Sequence, residues 1–211
     1  MAVYLFDFDG TLVDSMPTFI EAFMRLLRRY GIPIPKGVVK TITPLGYKGA
    51  AEHMRSLGVP LSTEELLKDV NDFARIAYHE EILPKAHVKE TLEALRARGD
   101  RLNVLTASPH GVLDPCLKRN GIYELFDNVW SCEDFATTKA DPNIYRMAAE
   151  RLGKDVSEVI FLDDNIDADQ TAKSAGMIVY GVFDESSREF ADDIRAVTDR
   201  YITDFSELLE D

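Results

Sequence analysis

The sequence predicts an α/β protein: a three-layer, Rossmann-like parallel sheet core with an all-helical cap inserted into it. Three observations carry that expectation. From about residue 86 onward, short apolar runs alternate with single amphipathic patterns, the rhythm of parallel strands joined by helices. Glycines close the helical patterns at Gly31, Gly99, Gly153 and Gly176. The first connection is the exception. It runs through residues 16–83 and reads as helical throughout, where a crossover takes about a dozen residues plus short loops. An inserted helical subdomain is the economical account. It assigns 1–15 and 84–211 to the core and 16–83 to the cap.

The elements follow in order. Val3-Tyr4-Leu5-Phe6 is short, apolar and aromatic-rich, the mark of a buried strand. Ser15 with Pro17 opens a helix whose apolar positions, Phe19, Ile20, Phe23, Leu26, Leu27 and Tyr30, recur at helical spacing. A proline-rich bend follows over 31–35, then helical patterns over 38–57 and 62–82, the second with a stripe of Leu66, Leu67, Val70, Phe73 and Ala77. Helix 87–98 precedes a strand at 102–106. Helix 111–120 precedes a weaker strand at 128–131, and helix 142–152 a clear strand at 159–162 that ends in Asp163-Asp164. Helix 167–175, strand 177–180, helix 187–197, strand 200–202 and a short acidic tail helix close the chain.

Composition narrows the function. The 211 residues are enough for a sizeable core, and no stretch approaches a transmembrane helix. The formal charge of −13 argues against a nucleic-acid partner, because phosphate backbones need a basic footprint. The start of the chain has no basic segment ahead of an apolar one, so no signal peptide is expected, and no membrane partner. Cys116 and Cys132 lack CxxC spacing and read as buried free thiols, which fits a reducing cytoplasm. His53, His79, His87 and His110 show no metal-ligand spacing and read as surface or capping residues.

The first strand ends in Asp7-Phe8-Asp9-Gly10-Thr11. Extended backbone alternates with period two, so Asp7 and Asp9 can point to one side. Two acids placed together ask for a cation, a shared proton, or both. They suit a nucleophile and a general acid with a hard metal nearby. Ligands of open parallel sheets bind beyond the carboxyl ends of the strands. There Thr106-Ala107-Ser108 offers a hydroxyl and amides for a phosphoryl group, and Lys139 a positive charge. Asp164 can join Asp7 around a magnesium ion. Each has a plainer alternative: Thr106 as a helix cap, Lys139 as a solvated lysine, and Asp163-Asp164 as an N-cap. That all would fall by accident at one sheet edge is the weaker account.

These residues resemble the haloacid dehalogenase superfamily. Asp7-Phe8-Asp9-Gly10-Thr11-Leu12-Val13-Asp14-Ser15 is similar to its first motif, Leu105-Thr106-Ala107-Ser108 to its second, Lys139 to its third and Leu162-Asp163-Asp164 to its fourth. Lys139-Ala140-Asp141-Pro142-Asn143-Ile144-Tyr145 resembles the KPxPxxY pattern of the phosphoglycolate phosphatase and β-phosphoglucomutase branch, with Ala140 at a usual proline and Thr138 at a usual glycine. The resemblance implies a magnesium-dependent phosphatase of a small phosphorylated metabolite, monomeric or weakly dimeric. Asp7 is then the nucleophile and Asp9 the general acid. Thr106, Ala107 and Lys139 hold the phosphoryl group. Asp7, the Asp9 carbonyl and Asp164 hold the metal, with Asp163 and Asp167 behind them. A one-residue shift would pair Asp163 with Asp167 instead. Dehalogenase members lack the second acid, so Asp9 speaks for alkoxide loss. In the cap, the segment Thr43-Pro44-Leu45-Gly46-Tyr47-Lys48-Gly49 is the candidate specificity loop, with Tyr47 and Lys48 reaching the substrate, or an ordinary helix-connecting turn. A phosphoryl mutase of the β-phosphoglucomutase type uses the same motifs, and a low-turnover regulatory or binding module is the reading from another class.

Overall fold

Tyr4 and Phe6 of the first strand pack into one apolar layer and Val3 and Leu5 into the other, so period-two alternation alone makes the sheet the middle of three layers. The computed structural model describes residues 1–210. Six parallel strands, β1 (Val3–Phe6), β2 (Arg101–Thr106), β3 (Asn128–Ser131), β4 (Val159–Asp163), β5 (Ile178–Val182) and β6 (Arg200–Ile202), lie in the order β3-β2-β1-β4-β5-β6. The α/β expectation holds. The strand order reverses beside β1, which makes the crevice between the β1 and β4 ends the topological switch point. Phe6 pairs with Val104 on one side and Leu162 on the other. Asp7 and Asp163, one residue further on, therefore leave adjacent strands at the same level.

The described residues form nine α-helices: α1 (Met16–Arg29), α2 (Val38–Ile42), α3 (Gly46–Ser56), α4 (Thr63–Glu80), α5 (Val88–Ala97), α6 (His110–Arg119), α7 (Asn143–Leu152), α8 (Ile166–Ala175) and α9 (Ala191–Val197). Leu92 and Leu95 of α5 and Leu113 and Leu117 of α6 cover one face. Ile144 and Ala148 of α7 and Ala172 of α8 cover the other. Phe19, Phe23 and Leu27 of α1 close a separate core with Ile42, Ala51, Met54, Leu66 and Val70. The far end of α4 leaves that core: Ala74, Ala77 and Tyr78 join the sheet's layer and pack near α6. Ser62 and Glu65 fix the start of α4 with a reciprocal capping box. The two chain crossings pair with each other, Asp14 N–H donating to Leu83 O at 3.0 Å and Lys85 N–H to Leu12 O at 3.0 Å.

Some local expectations change. The segment 43–49 is a 3₁₀ turn, Thr43–Leu45, running into α3. Gly46 (φ 61°) makes the bend, and Gly49 sits inside the helix, where a Cβ would meet Leu45 Cβ at 2.7 Å. The expected helix over 187–197 splits into a 3₁₀ turn, Glu185–Phe190, and α9, and the tail is a 3₁₀ turn over Phe205–Leu209. Cys116 and Cys132 are free and buried. Among the described residues, no helix is long and apolar enough to cross a membrane.

Candidate active site

The end of β1 carries Asp7 into the crevice, where it is buried. Lys139 Nζ lies 2.7 Å from Asp7 Oδ1 and 2.7 Å from Asp163 Oδ2. Only the Asp163 contact has hydrogen-bond direction, so Asp7 Oδ1 is paired by charge and has no directed donor. Burial opposes the lysine's charge, but the Asp163 and Asp7 carboxylates outweigh it and hold the ammonium well above its ordinary pKa. The Tyr145 hydroxyl lies 3.2 Å from both Lys139 O and Ala168 O, which ties the lysine's loop to α8.

Asp9 sits differently. Its Oδ1 accepts from Ser15 Oγ at 2.7 Å and Tyr78 OH at 2.5 Å, and its Oδ2 accepts from Ser108 Oγ at 2.5 Å. Burial first, then the Asp7 charge, raises its pKa above 3.8, against the three hydroxyl bonds that lower it. Ser15 stands at the start of α1, where the sequence places a helix start, yet its side chain makes no cap bond there. Its hydroxyl serves Asp9 instead. Thr106 is buried at the end of β2, with its Oγ1 accepting from Ser108 N–H at 3.1 Å, and Ala107 stands exposed at the same strand end.

From β4, Asp163 accepts from Lys139 through Oδ2 and from Asn165 N–H through Oδ1 at 2.8 Å, so both of its oxygens are engaged. Asp164 accepts from Thr11 Oγ1 at 3.2 Å. Its carboxyl is pushed well above the usual range by burial, then by the Asp163, Asp184 and Asp7 charges, with Lys85 opposing. The N-cap of α8 is Asn165, not either aspartate. Gly10 (φ 73°) passes directly over Asp164, and a Cβ there would lie 2.5 Å from Asp164 Oδ2. Asp7, Asp163 and Asp164 offer oxygens all within 4.8 Å of one another, the donor type of a hard divalent cation. Asp163 spends both of its oxygens on Lys139 and Asn165, whereas Asp164 has Thr11 as its hydrogen-bond donor and Asp7 Oδ1 has no directed one.

A family model of haloacid dehalogenase-like hydrolases matches residues 4–182, which takes in Asp7, Asp9, Thr106, Lys139, Asp163 and Asp164. The chain belongs to that family. Among its relatives, the phosphorylated carbohydrates phosphatase of Thermotoga maritima is 28% identical over 86% of this chain and 85% of its own length. The validoxylamine A 7′-phosphate phosphatase of Streptomyces hygroscopicus is 30% identical over 85% and 84%. The structure of CbbY from Rhodobacter sphaeroides, a mutant solved in complex with xylulose-(1,5)bisphosphate, shares the fold with a TM-score of 0.79. That match is 22% identical and covers 99% of this chain and 96% of the other.

Other residues of this haloacid dehalogenase-like chain enter the site without a signal in the motifs. Lys85 Nζ donates to Gly10 O at 2.7 Å, to Phe183 O at 2.5 Å and to Asp184 Oδ2 at 3.1 Å, pinning the loop that follows β1. Asp169 is fully buried on α8, and neither of its carboxyl oxygens has a partner. Burial, then the Asp163 and Asp164 charges, pushes its carboxyl up to about 10. Asp167, by contrast, is exposed on the first turn of α8. In α3, Tyr47 is half-buried with its ring 5.0 Å from that of Phe19, and Lys48 beside it is exposed. A cleft of 560 Å³ opens beyond Lys85 between Asp14, Leu83, Phe183 and Asp184, and neither Asp7 nor Asp9 lines it.

Proposed function

We propose that the protein hydrolyses a small phosphate monoester, phosphoglycolate- or sugar-phosphate-like, through a phosphoryl group carried on Asp7, with magnesium as cofactor. One observation carries this reading: two acids two residues apart have unequal surroundings. Asp7 offers a buried oxygen with no directed donor beside an ammonium group, whereas Asp9 is cradled by three hydroxyls. Environments that push two carboxyl groups apart assign them different roles.

Asp7 attacks phosphorus in line and the ester P–O bond breaks. Asp9 gives its proton to the departing alkoxide, then takes a proton from the water that attacks the phosphoryl group on Asp7. Alcohol and inorganic phosphate leave, and both carboxyls return to their starting states. Lys139, the Thr106 hydroxyl and the Ala107 amide bind the phosphoryl oxygens. Asp7, the Asp9 carbonyl and Asp164 would hold the magnesium, which would add positive charge beside those oxygens, while Asp163 orients Lys139. Residues 16–83 act as the cap that excludes water and sets specificity, with Tyr47 and Lys48 as its candidate substrate contacts.

The test uses a panel of phosphate monoesters with the terminal phosphoryl group labelled. Acid quenching should trap label on the wild type and none on Asp7→Asn. Asp9→Asn should lose turnover yet keep magnesium binding by calorimetry. Turnover that survives both EDTA and Asp7→Asn would sink the reading.

A further inference from the structure

Three hydroxyls from three separate elements hold Asp9, and one of them comes from the returning helix of the inserted segment. Ser15 stands at the start of α1, Ser108 follows β2, and Tyr78 lies near the end of α4, 69 residues from Asp9. We propose that Tyr78 is a positioning residue for the leaving-group step: its hydroxyl fills the second acceptor site of Asp9 Oδ1 and thereby leaves Oδ2 as the oxygen that carries the transferred proton. This rests on the reading of Asp9 as the acid.

A carboxylate offers about four lone-pair sites, two on each oxygen. Ser15 and Tyr78 occupy both sites on Oδ1, and Ser108 occupies one on Oδ2. A single site remains, on Oδ2. A proton placed there keeps all three hydroxyl bonds intact, whereas a proton on Oδ1 must break one. The cradle therefore fixes both the rotation of the carboxyl and the oxygen that donates.

The geometry around Tyr78 holds its hydroxyl in place. Its ring is buried and stacks on Phe8, the residue between the two acids, at 5.8 Å with planes 27° apart.

The experiment measures kcat/KM for Tyr78→Phe and Asp9→Asn over a series of monoesters. The series runs from alkyl phosphates, whose alkoxide needs a proton, to p-nitrophenyl phosphate, whose phenolate leaves without one. kcat/KM reports steps only up to the first irreversible one, so the later water step does not enter. Tyr78→Phe keeps the ring on Phe8 and removes only the hydroxyl. General acid help is typically worth 10²–10⁴-fold, and misplacing the acid should forfeit about tenfold of it. We expect about a tenfold fall on the alkyl esters and less than about twofold on p-nitrophenyl phosphate, with KM little changed. Ser15→Ala, which empties the other acceptor site of Asp9 Oδ1, should show the same leaving-group bias. It supplies the test if Tyr78→Phe does not fold by circular dichroism. Equal losses on both ester types, or none on either, overturn the proposal while Asp9→Asn remains selectively poor on alkyl esters. If Asp9→Asn itself handles alkyl esters at the wild-type rate, the assignment of the acid falls, and this proposal with it.

Discussion

Asp169 is the group whose substitution should change stability most simply. It is fully buried on α8 with both carboxyl oxygens unpartnered. In the unfolded chain its pKa is near 3.8, and in the fold it is pushed up to about 10 by burial, then by the Asp163 and Asp164 charges. The folded chain therefore keeps a proton that the unfolded chain releases. Stability from this group is full below 3.8 and is lost as pH rises toward the folded value. Each pH unit in that window costs about 1.4 kcal/mol, or roughly 4 kcal/mol between pH 4 and pH 7. Asp169→Asn has nearly the same shape and no ionisation. It should be more stable than the wild type by on the order of 2–4 kcal/mol at pH 7, with the gain shrinking toward pH 4. Urea unfolding of both proteins at pH 5, 6, 7 and 8, in EDTA so that no divalent ion contributes, reads the difference directly. An offset that does not vary with pH would show that the carboxyl is ionised in the fold and refute the reasoning.

Two further predictions concern the metal. A ligand that binds only the native state at about 100 times its Kd stabilises by about 2.7 kcal/mol. Magnesium should therefore raise the wild-type Tm by roughly 5–10 °C and move Asp164→Ala far less; an equal rise in both would place the ion elsewhere. Gly10→Ala puts a residue with a Cβ at φ 73°, at about 1–2 kcal/mol, and a methyl group 2.5 Å from Asp164 Oδ2. Tm and calorimetric magnesium affinity should both fall, the latter by tenfold or more, and an unchanged affinity would separate Asp164 from the ion.

What the sequence shows about this site depends on distance along the chain. Asp7 and Asp9 are legible because a strand end and a two-residue spacing suffice to bring them together. The strands and helices of the core are legible because each has its own apolar period. Tyr78 and Lys85 are not: they reach Asp9 and Gly10 across 69 and 75 residues, and nothing local to a helix stripe or a Pro-Lys pair says so. Ser15 is visible as the start of α1 and as the end of the first motif, but neither signal says that its hydroxyl is turned to Asp9. Between Asp167 and Asp169 the motif alone favours the first, yet the first is exposed and the second buried. Helical geometry reverses that choice: Asp169 lies three residues before Ala172, which belongs to the apolar face of α8 together with Ala168 and Ala175. Between α2 and α3, Gly46 and Gly49 suggest a loop, but only Gly46 bends the chain, while Gly49 gives Leu45 room inside the start of a helix.

The charge inventory explains how a chain of formal charge −13 can receive a phosphate dianion. Four buried carboxyls, Asp7, Asp163, Asp164 and Asp169, stand near one another, with Lys139 placed between Asp7 and Asp163 and Lys85 on the Asp184 side of Asp164. Ionising all four in a buried space would leave excess negative charge facing the incoming phosphoryl group. Asp169 removes one charge by holding its proton, and Lys139 neutralises part of the Asp7–Asp163 pair. Asp164 is left with Thr11 as its hydrogen-bond donor and a carboxyl pushed well above its usual range, so in the absence of an ion it too is driven toward the protonated form. A divalent cation would reverse that tendency by favouring the ionised carboxylate. Cation binding at Asp164 and proton release there are then one equilibrium. On the reading proposed here, magnesium affinity should rise with pH across the range in which Asp164 titrates, and Asp169→Asn should leave that dependence in place because Asp169 carries no charge to begin with.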